Sequence, residues 1–191
     1  MKILHFSDIH YWKIQIGSDP YYPKRFLGLM NLVFSRKNHF PPPLADTVIN
    51  AIRQEEADAV LFSGDLTTTS LESEFKKAAD SFAPLYEKWG DQLIVIPGNH
   101  DRYTPSSVKA KYYEEYFPNA FAGMGSRVFS KPLNDHLCVI GFDASRPFMV
   151  RSNGTFTESL RKELEDEFSK IRKTYQNVIL MGHFPYAYPA N

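Results

Sequence analysis

At 191 residues, with 43% hydrophobic and 23% charged, the chain is long enough for one α/β domain with a sizeable core. Its 22 Lys and Arg balance 22 Asp and Glu, so no global field favours long nucleic acid as a partner. The single cysteine, Cys138, excludes an internal disulfide, and no apolar run has the length of a signal peptide or transmembrane segment; the expectation is a soluble, cytoplasmic protein.

Residues 2–6 predict a first strand, ending at Ser7, Asp8, Ile9 and His10. Side chains alternate along extended backbone, so Asp8 and His10 are expected on one side, where a carboxylate and an imidazole can share a metal ion. The alternative is a capping Asp beside a surface His. Residues 11–43 then make a long excursion, carrying Lys13, Lys24, Arg25, Arg36 and Lys37 against Asp19 alone. It is rich in aromatics, among them Trp12, Tyr22, Phe26 and Phe34, and 25–34 predict a short apolar helix within it. A basic, aromatic flap suits an anionic substrate with an apolar or planar part; packing on the body or self-association is the alternative.

Leu44, Val48 and Ile52 recur at helical spacing and predict a helix over 44–57. A strand over 58–62 ends at Ser63, Gly64 and Asp65, which alone reads as a turn. Phe75, Phe82, Leu85 and Trp89 trace a second helix face over 71–89, interrupted or bent near Pro84. Leu93, Ile94, Val95 and Ile96 read as a buried strand stopped by Pro97 and Gly98, and directly followed by Asn99, His100 and Asp101. A helix is expected over 105–117, a loop over 118–125, and strands over 127–130 and 137–142. Leu160, Leu164, Phe168 and Ile171 stripe a helix over 157–175, and a last strand, 177–181, ends at Gly182 and His183. Strands, polar strand ends and helices alternate, which predicts a layered α/β fold with ligands beyond the strands' carboxyl ends.

Taken together, Asp8-x-His10, Gly64-Asp65, Gly98-Asn99-His100-Asp101 and Gly182-His183 resemble the ordered signature of the calcineurin-like metallophosphoesterases. The resemblance implies a β-sandwich flanked by helices, in one domain over 1–191 with the flap at about 11–43. It assigns Asp8 and His10 to one metal ion, Asp65 as a bridge between two, and Asn99 and His183 to the second. His100 becomes the general acid, with Asp101 orienting its ring. Two divalent ions, manganese, iron or zinc, would activate water and polarise a phosphoryl oxygen.

The same family carries a later Gly-His-x-His motif, one histidine per metal, which these residues lack; His5, His39 and His136 have no matching context. The reading is therefore of a chain cut short, with late strands missing, weakened metal binding and a sheet edge for a second copy to cover. The unadorned Gly64-Asp65-Leu66-Thr67 is similar to the bacterial phosphodiesterase branch. A phosphodiester or phosphomonoester of a nucleotide or a lipid-linked group is the expected substrate. A non-catalytic scaffold that keeps the fold is the alternative.

Overall fold

A computed structural model of the chain describes residues 1–13, 42–118, 126–147 and 154–185. Among them the order begins β1 (Ile3–Phe6), α1 (Pro42–Gln54), β2 (Ala59–Phe62), α2 (Glu72–Trp89), β3 (Leu93–Val95). It continues α3 (Pro105–Ala110), α4 (Tyr112–Tyr116), β4 (Val128–Asn134), β5 (Leu137–Phe142), α5 (Glu158–Ile171) and β6 (Asn177–Met181). The first three strands form one parallel sheet in the order β1-β2-β3. Parallel strands need crossovers, and α1 and α2 supply them. In the second sheet β5 is central, antiparallel to β4 and parallel to β6.

The period-two alternation of each strand separates the layers. Ala59, Leu61, Ile94 and Ile96 face Phe129, Leu133, Val139 and Met181 between the two sheets. The alternate residues Val60, Phe62, Leu93 and Val95 face outward and bury Ile49 and Ile52 of α1 with Phe75, Phe82 and Leu85 of α2. On the far side Val128, Ile140 and Phe142 pack on Leu160 and Leu164 of α5. Helix, sheet, sheet and helix thus stack as the layered α/β fold expected from the alternation, in the sandwich that the resemblance implied.

Three expected elements differ. Pro84 does not interrupt α2, which runs from Glu72 to Trp89 with Phe75, Ala78, Phe82 and Leu85 all buried. The packing of that stripe outweighs the lost backbone bond and ring clash, about 3 kcal/mol in an unsupported helix. The helix expected over 105–117 is broken at Lys111, whose φ of 58° is left-handed. The break directs Tyr113 inward, where its hydroxyl donates to the Val95 carbonyl at 2.7 Å. Strand β4 extends beyond 130 to Asn134, tolerating Pro132 because it is the edge strand of its sheet. The apolar helix expected over 25–34, and most of the flap, lie outside the described residues. Among the described residues no helix is long and apolar enough to cross a membrane.

Phe82 is fully buried, with its ring centroid 5.2 Å from Phe62, 5.7 Å from Phe117 and 6.0 Å from Phe6. Phe82→Ala is expected to lower unfolding free energy by about 3–5 kcal/mol in urea titrations. Phe168→Ala, at a ring 44% exposed, is expected to change it by about 0.5 kcal/mol or less. Equal effects from the two would contradict this layering.

Candidate metal centre

Because β1, β2 and β3 run parallel, their carboxyl ends share one edge of the sheet. Asp8 and His10 follow β1, Asp65 follows β2, and Asn99, His100 and Asp101 follow β3. His183 joins them from the end of β6. The structure brings together all seven residues singled out in the sequence.

Asp8 and His10 arrive by a different route from the one their spacing suggested. The strand stops at Phe6, and Asp8 (φ 61°) and His10 (φ 53°) are left-handed, as is Asp65 (φ 66°). Extended alternation is therefore not what pairs Asp8 with His10. Their segment instead hydrogen-bonds to the loop after β2: Asp8 N–H to the Gly64 carbonyl at 2.9 Å and His10 N–H to the Asp65 carbonyl at 3.0 Å. Left-handed non-glycine backbone costs about 1–3 kcal/mol per residue and persists only where the surroundings impose it.

Three imidazoles are fixed in the same manner. Nδ1 of His183 lies 2.9 Å from the Ser63 carbonyl, that of His10 3.3 Å from the Thr67 carbonyl, and that of His100 2.6 Å from the Thr68 carbonyl. A carbonyl only accepts, so each Nδ1 carries the proton. In the neutral ring Nε2 is left with a lone pair, the form a metal ligand needs. His10 Nε2 lies 3.5 Å from Asp8 Oδ1 and 3.6 Å from Asp65 Oδ2. His183 Nε2 lies 3.5 Å from the same Asp65 oxygen and 3.1 Å from Asn99 Oδ1.

Two groups of ligand atoms follow, each with its members within 4.8 Å of one another: His10, Asp65 and His100, and Asp8, Asp65 and His183. Asp65 belongs to both. An acceptor-only carboxylate shared by a pair of imidazoles on one side and an imidazole with a second carboxylate on the other suits a pair of divalent ions. His100 also reaches this cluster: its ring meets that of His10 edge to face, at 4.9 Å and 90°. Tyr103 stacks on it from outside at 5.4 Å, with the ring planes 10° apart.

Electrostatics prepares the cluster for cations. Burial acts to raise the Asp8 carboxyl, but contacts with His10 and Ser7 and the nearby imidazoles outweigh it and hold the group at about 2. Burial acts to lower His10, and Asp8 and Asp65 raise it on balance.

Asp101 does not orient the His100 ring. Its Oδ2 accepts from the backbone N–H groups of Asp65 (3.0 Å), Leu66 (3.1 Å) and Gly98 (2.9 Å). Its Oδ1 accepts from the Thr67 N–H at 2.9 Å and the Thr67 hydroxyl at 3.0 Å. Both oxygens are thus committed to backbone, and the carbonyl of Thr68 fixes His100 instead. Burial, with the Asp65 charge, pushes the Asp101 carboxyl up to about 6. Arg102, its neighbour, is 7% exposed and bridges Glu114 at 2.6 Å and Asp143 at 3.1 Å, which ties the turn after β3 to the end of β5.

Two glycines let these loops cross. A Cβ on Gly98 would collide with Oδ1 of Asp65, and one on Gly64 (φ 105°) would lie 2.7 Å from the Gly98 nitrogen. Sequence reasoning missed Arg102, Tyr103 and the carbonyls of Ser63, Thr67 and Thr68. Backbone acceptors carry no residue signature. Arg102, adjoining the Gly98–Asp101 turn, was the one legible sign.

The sequence model of a family described as calcineurin-like phosphoesterase matches residues 1–190. No curated protein matches the chain. Gly98→Ala is expected to displace the shared Asp65 carboxylate and weaken zinc or manganese binding, read by calorimetric titration, about tenfold or more. Unchanged affinity would mean that Asp65 does not hold the ions.

Proposed function

The chain belongs to the calcineurin-like phosphoesterase family, whose chemistry is metal-dependent hydrolysis of phosphoesters, and we propose that its own substrate is a phosphodiester, with a phosphomonoester second, of a nucleotide or a lipid-linked group. The observation that carries this reading is the shared carboxylate: Asp65 stands within ligand distance of both His10 and His183. The donors of the two ligand groups divide between the ions in more than one way. In the proposed assignment Asp8, His10 and Asp65 hold one ion, supported by the 3.5 Å between His10 Nε2 and Asp8 Oδ1. Asp65, Asn99 and His183 hold the other, supported by the 3.1 Å between His183 Nε2 and Asn99 Oδ1, with His100 left as acid and manganese, iron or zinc as the metals. A pair of divalent ions supplies Lewis acidity toward a phosphoryl oxygen and lowers the pKa of water.

The remaining work falls to the chain. His10 and His183 present Nε2 because Nδ1 is tied to a carbonyl. Asn99 contributes an amide oxygen without adding negative charge, so the site keeps its attraction for a phosphate. His100, protonated on both nitrogens, keeps Nδ1–H on the Thr68 carbonyl and gives its Nε2 proton to the departing alkoxide. Tyr103, stacked on that ring, restricts its rotation. The net charge of zero supports a small phosphoester over long nucleic acid.

Against a dinucleotide phosphodiester with manganese, whose departing alkoxide needs a proton, His100→Ala is expected to lower kcat by about 10²–10⁴-fold. Bound metal, measured by elemental analysis, is expected to stay unchanged. Indistinguishable rates for parent and variant would favour the scaffold alternative over an enzyme.

A further inference from the structure

Glu74, in the first turn of α2, is 1% exposed, a carboxylate withdrawn almost wholly from water. It accepts from the backbone N–H groups of Thr69 (2.9 Å), Leu71 (3.1 Å) and Lys13 (3.2 Å), and from the Thr69 hydroxyl at 3.1 Å. Reaching back to Leu71 is ordinary helix capping. The bond to Thr69 serves no helical purpose, because Thr69 lies outside the helix.

Its meaning comes from the peptide plane. The Thr69 N–H and the Thr68 carbonyl belong to one planar trans unit, and they point in opposite directions. On one side the Thr69 N–H donates to Glu74 Oε2; on the other the Thr68 carbonyl accepts from Nδ1 of His100. Carboxylate, amide and imidazole thus form one continuous chain of hydrogen bonds. Rotating that peptide would break both ends at once, and each bond polarises the next.

We propose that Glu74 is the positioning residue for His100, acting through the Thr68–Thr69 peptide to fix the ring's tautomer and direction. The carboxylate takes the place that the neighbouring Asp101 was expected to fill. It acts from beneath the loop, where substrate does not reach. The neighbouring peptide behaves differently: Thr68 N–H bonds to the Tyr11 carbonyl at 2.9 Å, so the Thr67 carbonyl that holds His10 has no such carboxylate behind it. Of these two peptides, only the one that holds His100 is backed by a carboxylate. The catalytic consequence of the relay rests on the proposed role of His100 as acid, but the relay itself does not.

The test is made on the full chain labelled with ¹⁵N in its histidines, at about pH 8, above the ordinary imidazole pKa, with and without added zinc. In the parent, His100 is expected wholly as the Nδ1–H tautomer. Glu74→Ala, which removes every acceptor beneath the Thr69 N–H and frees the Thr68–Thr69 peptide to rotate, is expected to shift His100 to a mixture of the two tautomers while His10 and His183 stay Nδ1–H. Thr69→Val, which removes only the hydroxyl arm, is expected to leave His100 unchanged. A His100 signal unaltered in Glu74→Ala overturns the proposal, and so does an equal change in all three rings. Should that variant fail to fold, the parent decides: scalar couplings across the His100–Thr68 and Thr69–Glu74 hydrogen bonds are expected, and the absence of either overturns the relay. Altered His100 tautomers with unchanged turnover would count against the functional reading alone.

Discussion

One buried carboxylate holds two strand-end loops in register, and the rest of the centre depends on it. Four backbone N–H groups, from Asp65, Leu66, Thr67 and Gly98, and the Thr67 hydroxyl converge on Asp101. Buried amides without partners would cost about 1–3 kcal/mol each, so the loop after β2 is bound to the turn after β3 by necessity. With its N–H groups so engaged, the same loop offers carbonyls to the imidazoles. Ser63, Thr67 and Thr68 receive His183, His10 and His100. One short segment therefore sets the tautomer of every histidine in the site.

That arrangement accumulates cost that ordinary stability would avoid. Asp8, His10 and Asp65 are left-handed, and two glycines are forced by the close crossing of loops. Asp65 and Asp101 are both buried, and Arg102 is buried beside them with Asp143, while its second partner, Glu114, stays partly exposed. Such a concentration of strain and buried charge is characteristic of functional sites. The core behind it is ordinary by comparison: β-branched and aromatic residues in alternating layers, with helices covering both outer faces.

Much of the layering was legible because it depends on local periodicity. Val60 and Phe62 against Ala59 and Leu61 already separate two faces, and the stripe from Phe75 to Trp89 is strong enough to carry α2 through Pro84. The break at Lys111 was not legible, since its cause is the distant Val95 carbonyl that draws in Tyr113. Nor was the capping of α2, where Leu71 stands at the cap position and Glu74 serves Thr69 and Lys13 as well.

The sequence by itself determined which side chains could bind metal and that they follow strands, because residue identity and hydrophobic period are local properties. It also carried the family, through four short motifs in order. The tertiary structure decided what those side chains do to one another. It assigned Asp101 to the backbone and His100 to a carbonyl, and it turned Asp8 and His10 through left-handed backbone where an extended strand end was expected. Backbone N–H and C=O groups are the same at every residue, so their pairing is written only in the way the loops meet.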